Sequence, residues 1–193
     1  MAVSKSVTVG MMAVTAAVGT TVAAKADGAY MGLSLGQFNG ALPFKGDQSN
    51  TNYSVGNDLS FGAFAGYNWD LASPAVAGIE VALSKGPSSN YQAPTYEDYA
   101  INYLVDVKGR IGAKIGQNAF AYAFAGASRG NMGTLALGDY GVFGANFGVG
   151  GEYAINEKMS VGIEYIDRRL RDVSGVGGTV DLSSVSVRAI FKF

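Results

Sequence analysis

The final stretch of the chain, residues 183–193 (SSVSVRAIFKF), alternates apolar and polar side chains up to its last position. The apolar side chains of one face are Val185, Val187, Ala189, Phe191 and Phe193. The other face has Ser184, Ser186, Arg188 and Lys192, with Ile190 as its one apolar member. This period of two predicts a β-strand with one apolar side, and the fold depends on what that side contacts.

The opposite end of the chain has the pattern of an export signal. Lys5 is the only charge before a run of small and apolar residues at 7–24, and Ala24-Lys25-Ala26 fits an A-x-A cleavage site. We predict a signal peptide over residues 1–26, cleaved after Ala26 or Ala24, and a mature domain over 27–193. The alternative, a membrane-anchoring helix, is less consistent with the Thr and Gly residues that interrupt the run.

Composition excludes several classes of protein. The sequence has no Cys and no His, so it lacks thiolate metal ligands and the commonest general base. With a net charge of −1, nothing indicates nucleic acid as a partner. We therefore predict no enzymatic activity, no catalytic residues, and no cofactor or metal site. Two features are unusual for a soluble secreted protein: only 15% of residues are charged, and 28 are Gly.

Alternation recurs along the mature chain. Seven further stretches are predicted as strands: 28–38, 59–70, 76–85, 99–115, 119–129, 141–153 and 159–168. The pattern has irregularities, because Phe64 breaks the second stretch and 119–129 sets Phe120, Tyr122 and Phe124 against a row of Ala that ends at Arg129. With the last strand the count is eight, each near the ~9–11 residues that a tilted strand needs to cross a bilayer.

The predicted connections alternate between short and long. Tight turns fall at 71–75, 116–118 and 156–158, whereas longer loops fall at 40–58, 87–98, 130–139 and 171–178. Short turns at one end and long loops at the other are typical of outer-membrane barrels. This arrangement places both termini of the mature chain at the short-turn, periplasmic end.

The polar face predicts a narrow lumen. It is mostly Gly, Ser and Asn, with balanced charges near the strand centres: Glu80, Asp106, Lys108, Arg110, Glu152, Glu164, Arg168 and Arg188. Eight strands leave room only for side chains, so these charges should be ion-paired. We expect Glu80 and Asp106 near Lys108 and Arg110, and Glu164 near Arg188.

The apolar face predicts contact with lipid. Its aromatic residues gather near the short-turn end and form a predicted interfacial belt, namely Tyr67, Trp69 and Tyr153, with Phe191 and Phe193 beside them. The alternative is a soluble, lipocalin-like secreted barrel, which would stay in aqueous buffer without detergent. The sequence favours an all-β, eight-stranded antiparallel up-and-down transmembrane β-barrel, integral to the outer membrane.

Four stretches resemble a known family: GAYMGLSLG at 28–36, YLVDVKGRIGAKIG at 103–116, GVGGEYAINEKMSVGIEYIDRR at 148–169 and VRAIFKF at 187–193. The chain resembles the OmpA-type and opacity-protein group of eight-stranded, porin-like outer-membrane barrels. The resemblance implies that the terminal aromatic belongs to a signal read by the barrel-assembly machinery. That role would fall on Phe193 and, more weakly, on Phe191, Val187 and Val185.

Three functions remain open: a structural barrel of the Gram-negative envelope, a surface adhesin or immune-evasion protein that binds a host ligand through loops such as 40–58, and a small pore. A filled lumen weakens the pore interpretation. Outer-membrane lipids and lipopolysaccharide are the expected partners. Strand parity turns Arg169 and Arg171 outward near the outer rim, where they are candidate contacts for lipopolysaccharide phosphates; a solvated strand end is the alternative.

Overall fold

The computed structural model describes residues 27–43, 52–85, 88–89, 99–134, 138–172 and 179–193. The predicted signal peptide lies outside these residues. The strands are β1 (Gly28–Pro43), β2 (Asn52–Asp70), β3 (Ala75–Ser84), β4 (Ser88–Ser89), β5 (Tyr99–Ile115), β6 (Ala119–Thr134), β7 (Gly138–Ala154), β8 (Met159–Asp172) and β9 (Thr179–Lys192). Among the described residues, no helix is long and apolar enough to span a membrane.

The strands form one closed antiparallel sheet. Their order is β3-β2-β1-β9-β8-β7-β6-β5-β4, and β3 also pairs with β5, which closes the barrel. The two-residue β4 pairs with β5 beyond the end of β3, so β3 and β4 together occupy one strand position. The first strand pairs with the last from Tyr30↔Lys192 to Ala41↔Asp181. The predicted eight-stranded up-and-down barrel is therefore confirmed.

The register sets the slope of the strands. Starting at Ala29 and following directly paired residues through every strand position returns to β1 at Asn39, ten residues further along. A stagger of this kind tilts the strands by about 35–45° from the barrel axis. Each row of paired residues therefore climbs from one end of the barrel to the other.

The two ends of the barrel differ. We call the end with the three short turns (71–74, 116–118 and 155–158) and Phe193 the turn end, and the opposite end the loop end. At the loop end the strands are longer than the sequence predicted, which corrects the loop boundaries. In the predicted loop 40–58, Gly40–Pro43 pairs with Asn52–Val55 as an extension of the β1–β2 hairpin.

The other predicted loops also shrink. Residues 130–134 belong to β6 and 138–139 to β7, so only 135–137 separate them, and Ser88–Ser89 is strand within the predicted loop 87–98. These stretches contain many Gly, Ser and Asn residues and little alternation, because a hairpin that projects into water needs no apolar face. Sequence periodicity could not detect them.

Side-chain parity divides the barrel into an interior and an outer wall. Even-numbered positions mostly point inward and are buried, whereas odd-numbered positions point outward and carry most of the exposed large apolar side chains. The irregularities in the sequence follow this rule: Phe64, Ile190, Phe120, Tyr122 and Phe124 are all buried in the interior. Their parity, rather than their hydrophobicity, decides which way they face.

Candidate functional site: the charged lumen and the outer wall

Six charged side chains meet in the lumen and form what we call the central cluster: Glu80, Lys108, Arg110, Glu152, Glu164 and Arg188. Glu80 lies at its middle. Its Oε1 is 2.8 Å from Lys108 Nζ, and its Oε2 accepts hydrogen bonds from Arg110 Nη1 at 2.8 Å and Arg188 Nη2 at 2.6 Å. β3, β5 and β9 thus supply the charges around one carboxylate.

The remaining contacts complete the central cluster. Arg110 Nη2 donates to Glu152 Oε1 at 2.6 Å, and Lys108 Nζ donates to Glu164 Oε1 at 2.6 Å. Arg188 Nη1 also donates to Glu164 Oε2. Three carboxylates therefore balance three cations, which is the condition for burying charge in a space that excludes water.

A second cluster lies nearer the loop end. Arg168 forms a two-pronged contact with Asp106: Nη2 donates to Oδ2 at 2.6 Å and Nε to Oδ1 at 3.0 Å. Ser128 Oγ donates to Asp106 Oδ1 at 2.6 Å, and Asn146 Nδ2 donates to Ser128 Oγ at 2.8 Å. Arg168 Nη1 reaches Ser184 Oγ at 3.1 Å.

This second cluster corrects one expected pairing. Asp106 was expected beside Lys108 and Arg110, but its ion-pair partner is Arg168. The register explains the difference, because Asp106↔Ser128, Ser128↔Asn146 and Asn146↔Arg168 form one row of paired residues across β5 to β8. The expected contacts of Glu80 with Lys108 and Arg110, and of Glu164 with Arg188, are present.

Aromatic rings, which the sequence interpretation did not assign to the lumen, separate the buried cations. The guanidinium carbon of Arg188 lies 3.7 Å from the centroid of the Phe64 ring, and that of Arg110 lies 3.9 Å from the Tyr122 ring. Lys108 Nζ is 4.7 Å from the Phe124 ring. Desolvated cation–π contacts of this kind stabilise charges that cannot reach water. The even numbers of these aromatic residues were the sequence signal that could have placed their rings in the lumen.

Two tyrosines join the rings to the charges. Tyr30 Oη donates to Glu80 Oε2 at 2.9 Å, and Tyr122 Oη donates to Glu164 Oε2 at 2.9 Å. Inward-facing glycines make space for these rings, since a Cβ on Gly66 would meet Tyr30 and a Cβ on Gly150 would meet Tyr122. The abundance of Gly thus has a steric cause on this face.

Apolar side chains fill the lumen on the loop-end side of both clusters. They face inward toward the loop end of their strands and are almost fully buried: Phe38, Leu104, Val142, Leu170 and Leu182. Leu104, Leu170 and Leu182 follow directly on Asp106, Arg168 and Ser184 in the inward row of their strands. We call these five residues the apolar layer. It lies between the charged clusters and the loop end.

The outer wall carries the predicted aromatic belt and assembly residues. Trp69, 46% exposed, packs on Tyr67 with ring centroids 5.1 Å apart, and Tyr153 is also exposed near the turn end. Val185, Val187 and Phe191 are exposed on β9. Phe193 is 71% exposed, and its backbone N–H donates to Ala29 O at 3.0 Å, which holds the terminus against the first strand.

The two candidate phosphate-binding arginines also lie on the outer wall, near the loop end. Arg169 and Arg171 are both exposed. Arg169 Nε is 3.7 Å from Asp167 Oδ1, and its guanidinium carbon is 5.3 Å from the centroid of the Phe147 ring. In the described parts of the chain, no group of three or more acidic side chains is placed to hold a metal ion.

Comparison with solved structures shows the same fold in two bacterial proteins. Ail, the attachment invasion locus protein of Yersinia pestis, solved with the heparin analogue sucrose octasulfate, superposes with a TM-score of 0.55 at 12% identity, covering 86% of this chain and 99% of Ail. Neisserial surface protein A superposes with a TM-score of 0.54 at 14% identity, covering 86% and 97%. Identity this low shows the fold alone.

Sequence comparison gives the family. No curated protein matches the sequence. The family model described as the outer membrane protein beta-barrel domain matches residues 6–193, almost the whole chain. Together with the closed eight-stranded barrel, this match confirms the resemblance that the sequence motifs indicated. The chain belongs to the outer membrane protein beta-barrel domain family.

Proposed function

We propose that this protein is a non-conducting structural barrel of the outer membrane that presents its loop end at the cell surface. The observation that carries the proposal is the filled lumen. The central cluster engages its carboxylates with its own cations, and the apolar layer blocks the lumen beyond them. An ion entering this space would have to displace buried pairs and cross the apolar layer.

The orientation follows from the difference between the two ends. Tight turns and the aromatic belt at one end suit the periplasmic interface, and extended hairpins at the other suit the outside of the cell. Both termini of the mature chain would then be periplasmic. On this proposal, Phe193 and Phe191, with Val187 and Val185, are presented to the barrel-assembly machinery during insertion, and the outer wall contacts outer-membrane lipids. We expect no enzymatic activity.

Single-channel recording on the purified, refolded protein in a planar bilayer tests the closed lumen. We expect no steps above the bilayer background, whereas a general trimeric porin, recorded in parallel, supplies the positive control. Stable conductance steps from the parent protein would overturn the proposal. A deletion strain should show envelope weakness, measured as detergent sensitivity, with no fall in small-solute uptake.

A surface-attachment role is the second candidate, and the extended β1–β2 hairpin favours it. Gly40–Pro43 pairs with Asn52–Val55, so β1 and β2 stay paired up to the two ends of the segment 44–51. Replacing 44–51 by a short Gly-Ser linker should abolish host-cell binding and leave barrel assembly intact. Sucrose octasulfate, the ligand in the Ail structure, is a suitable soluble competitor. Unchanged cell binding by the loop variant would exclude this hairpin as the contact.

A further inference from the structure

Three arginines, not two, share one side of the outer wall near the loop end. Arg129 on β6 is exposed and directly paired with Phe143 on β7, which is directly paired with Arg171 on β8. Arg169 is one outward position from Arg171 on the same strand. We call Arg129, Arg169 and Arg171 the arginine patch; the exposed Phe143 ring lies between Arg129 and Arg171, and the exposed Phe147 ring contacts Arg169.

The patch carries positive charge that its neighbours only partly neutralise. Arg169 has two carboxylates nearby, since its Nε is 3.7 Å from Asp167 Oδ1 and its direct partner on β9 is the exposed Asp181. Neither Arg129 nor Arg171, however, makes an ion pair with any side chain that the structure describes. Cβ atoms of directly paired residues lie about 5 Å apart, so Arg129 and Arg171 flank Phe143 within reach of one shared anionic group. Guanidinium groups bind phosphate through two parallel hydrogen bonds.

Below the patch the wall is unusually shallow. The outward positions of β6 are all Ala, from Ala119 to Ala127. Ala123 lies between larger side chains, Ile111 on β5 and Val149 on β7, whereas the paired neighbours of Ala121 on both strands are themselves small. The result is a shallow apolar strip, which we call the alanine trough, that runs down the barrel from Arg129 toward the turn end.

We propose that this face binds a phosphorylated glycolipid of the outer leaflet, with a headgroup phosphate on the arginine patch and an acyl chain in the alanine trough. The positive charge of the arginine patch favours a negatively charged headgroup. Because the alanine trough begins directly below these cations, the site fits an amphiphile better than a soluble anion. The Phe143 and Phe147 rings offer a flat apolar surface between the two. The site is independent of the surface loops and of the closed lumen.

The test is a titration of the refolded protein with lipopolysaccharide, read as the shift in thermal unfolding temperature and as bound lipid by native mass spectrometry. The parent should be stabilised. Arg129→Ser combined with Arg171→Ser should weaken binding by about tenfold or more, the factor expected for losing a charge-assisted hydrogen bond. Lys85→Ser, which removes an exposed cation just after β3, two strand positions away from Arg129, is the matched control and should bind as the parent does.

Further variants distinguish the contribution of the headgroup from that of the acyl chain. The double variant Arg129→Lys with Arg171→Lys keeps the charge and replaces the Ser variant in the test if that variant does not refold. It should still bind lipopolysaccharide more weakly than the parent. Ala123→Phe should weaken lipopolysaccharide binding by obstructing the trough, whereas Ala63→Phe, on the wall of β2, should not. Equal affinity of parent and arginine variants, or equal stabilisation by inorganic phosphate or by dephosphorylated lipopolysaccharide, would overturn the proposal.

Discussion

At the scale of single residues, Arg188 holds the central cluster together. It is 1% exposed, it contacts Glu80 and Glu164, and its guanidinium lies on the Phe64 ring. Arg188→Ala should lower the free energy of unfolding by about 3–5 kcal/mol, because two buried carboxylates lose a partner. Lys85→Ala removes an exposed cation and should change it by less than about 0.5 kcal/mol.

Urea unfolding in detergent micelles, followed by tryptophan fluorescence, measures both Arg188→Ala and Lys85→Ala. Coincident midpoints for the two variants would contradict an ion-paired interior. Removing a carboxylate as well, in Arg188→Ala with Glu164→Gln, should recover part of the loss, because fewer charges then remain unpaired.

Adjacent glycines on β7 offer a second comparison at this scale. A Cβ on Gly150 would overlap the Tyr122 ring, which cannot easily move because its hydroxyl bonds Glu164 and accepts from Arg188. A Cβ on Gly151 points outward and meets only Phe120 O, at 3.9 Å. Gly150→Ala should therefore destabilise the barrel by about 1–3 kcal/mol.

Gly151→Ala, one residue away, should be neutral or slightly stabilising, since Ala narrows the unfolded ensemble. The stabilities of the two variants are compared by the temperature at which the compact, folded band on a gel is replaced by the unfolded band. If Gly151→Ala were less stable than Gly150→Ala, the steric explanation of the lumen glycines would be wrong.

At the scale of elements, the last strand tests the predicted assembly signal. Deleting Phe193 removes the final outward aromatic and the N–H that bonds Ala29, so we expect less folded barrel in the outer membrane and more protease-sensitive chain in the periplasm. Tyr153→Ala, an exposed aromatic at the same end, should assemble normally. Wild-type levels of heat-modifiable protein after deletion of Phe193 would refute its role in assembly.

How well each strand could be predicted from the sequence depends on what its two faces contact. Strands whose outer face is aliphatic, such as β5 and β9, were evident from alternation. β6 was harder, because its outer side chains are Ala and its inner ones aromatic, which inverts the usual contrast. The loop-end hairpins show little alternation in sequence, and the apolar layer interrupts the polar face at Leu104 and Leu182. Which charges meet required the register, which alternation alone does not specify.

At the scale of the whole molecule, the seam between β1 and β9 fixes closure and stagger together. Leu33 and Ala189 are directly paired across it on the outer wall. Because the sequence has no Cys, Leu33→Cys with Ala189→Cys introduces the sole thiol pair, which should be joined by oxidation or a short bis-thiol reagent. The cross-link closes almost the entire chain into a loop and should stabilise the barrel by about 4–5 kcal/mol through the unfolded state.

The control for this cross-link is Leu33→Cys with Val185→Cys, since Val185 pairs with Gln37 instead. It should stay unlinked under the same conditions. Preferential linking of the control pair would mean that the seam has a different register, and with it a different stagger of the whole barrel.

The composition of the central cluster also constrains the order of assembly. Glu80 arrives on β3 and Lys108 on β5, but Arg188 arrives only with β9, the last strand of the barrel to be synthesised. A single hairpin entering hydrocarbon would carry its inward charges without their partners, at a cost of several kcal/mol for each ion. Its open edges would carry unpaired amides as well. The charges of this lumen therefore favour a chain that curls and joins its ends before it moves into the bilayer core, so that insertion is a late, concerted step.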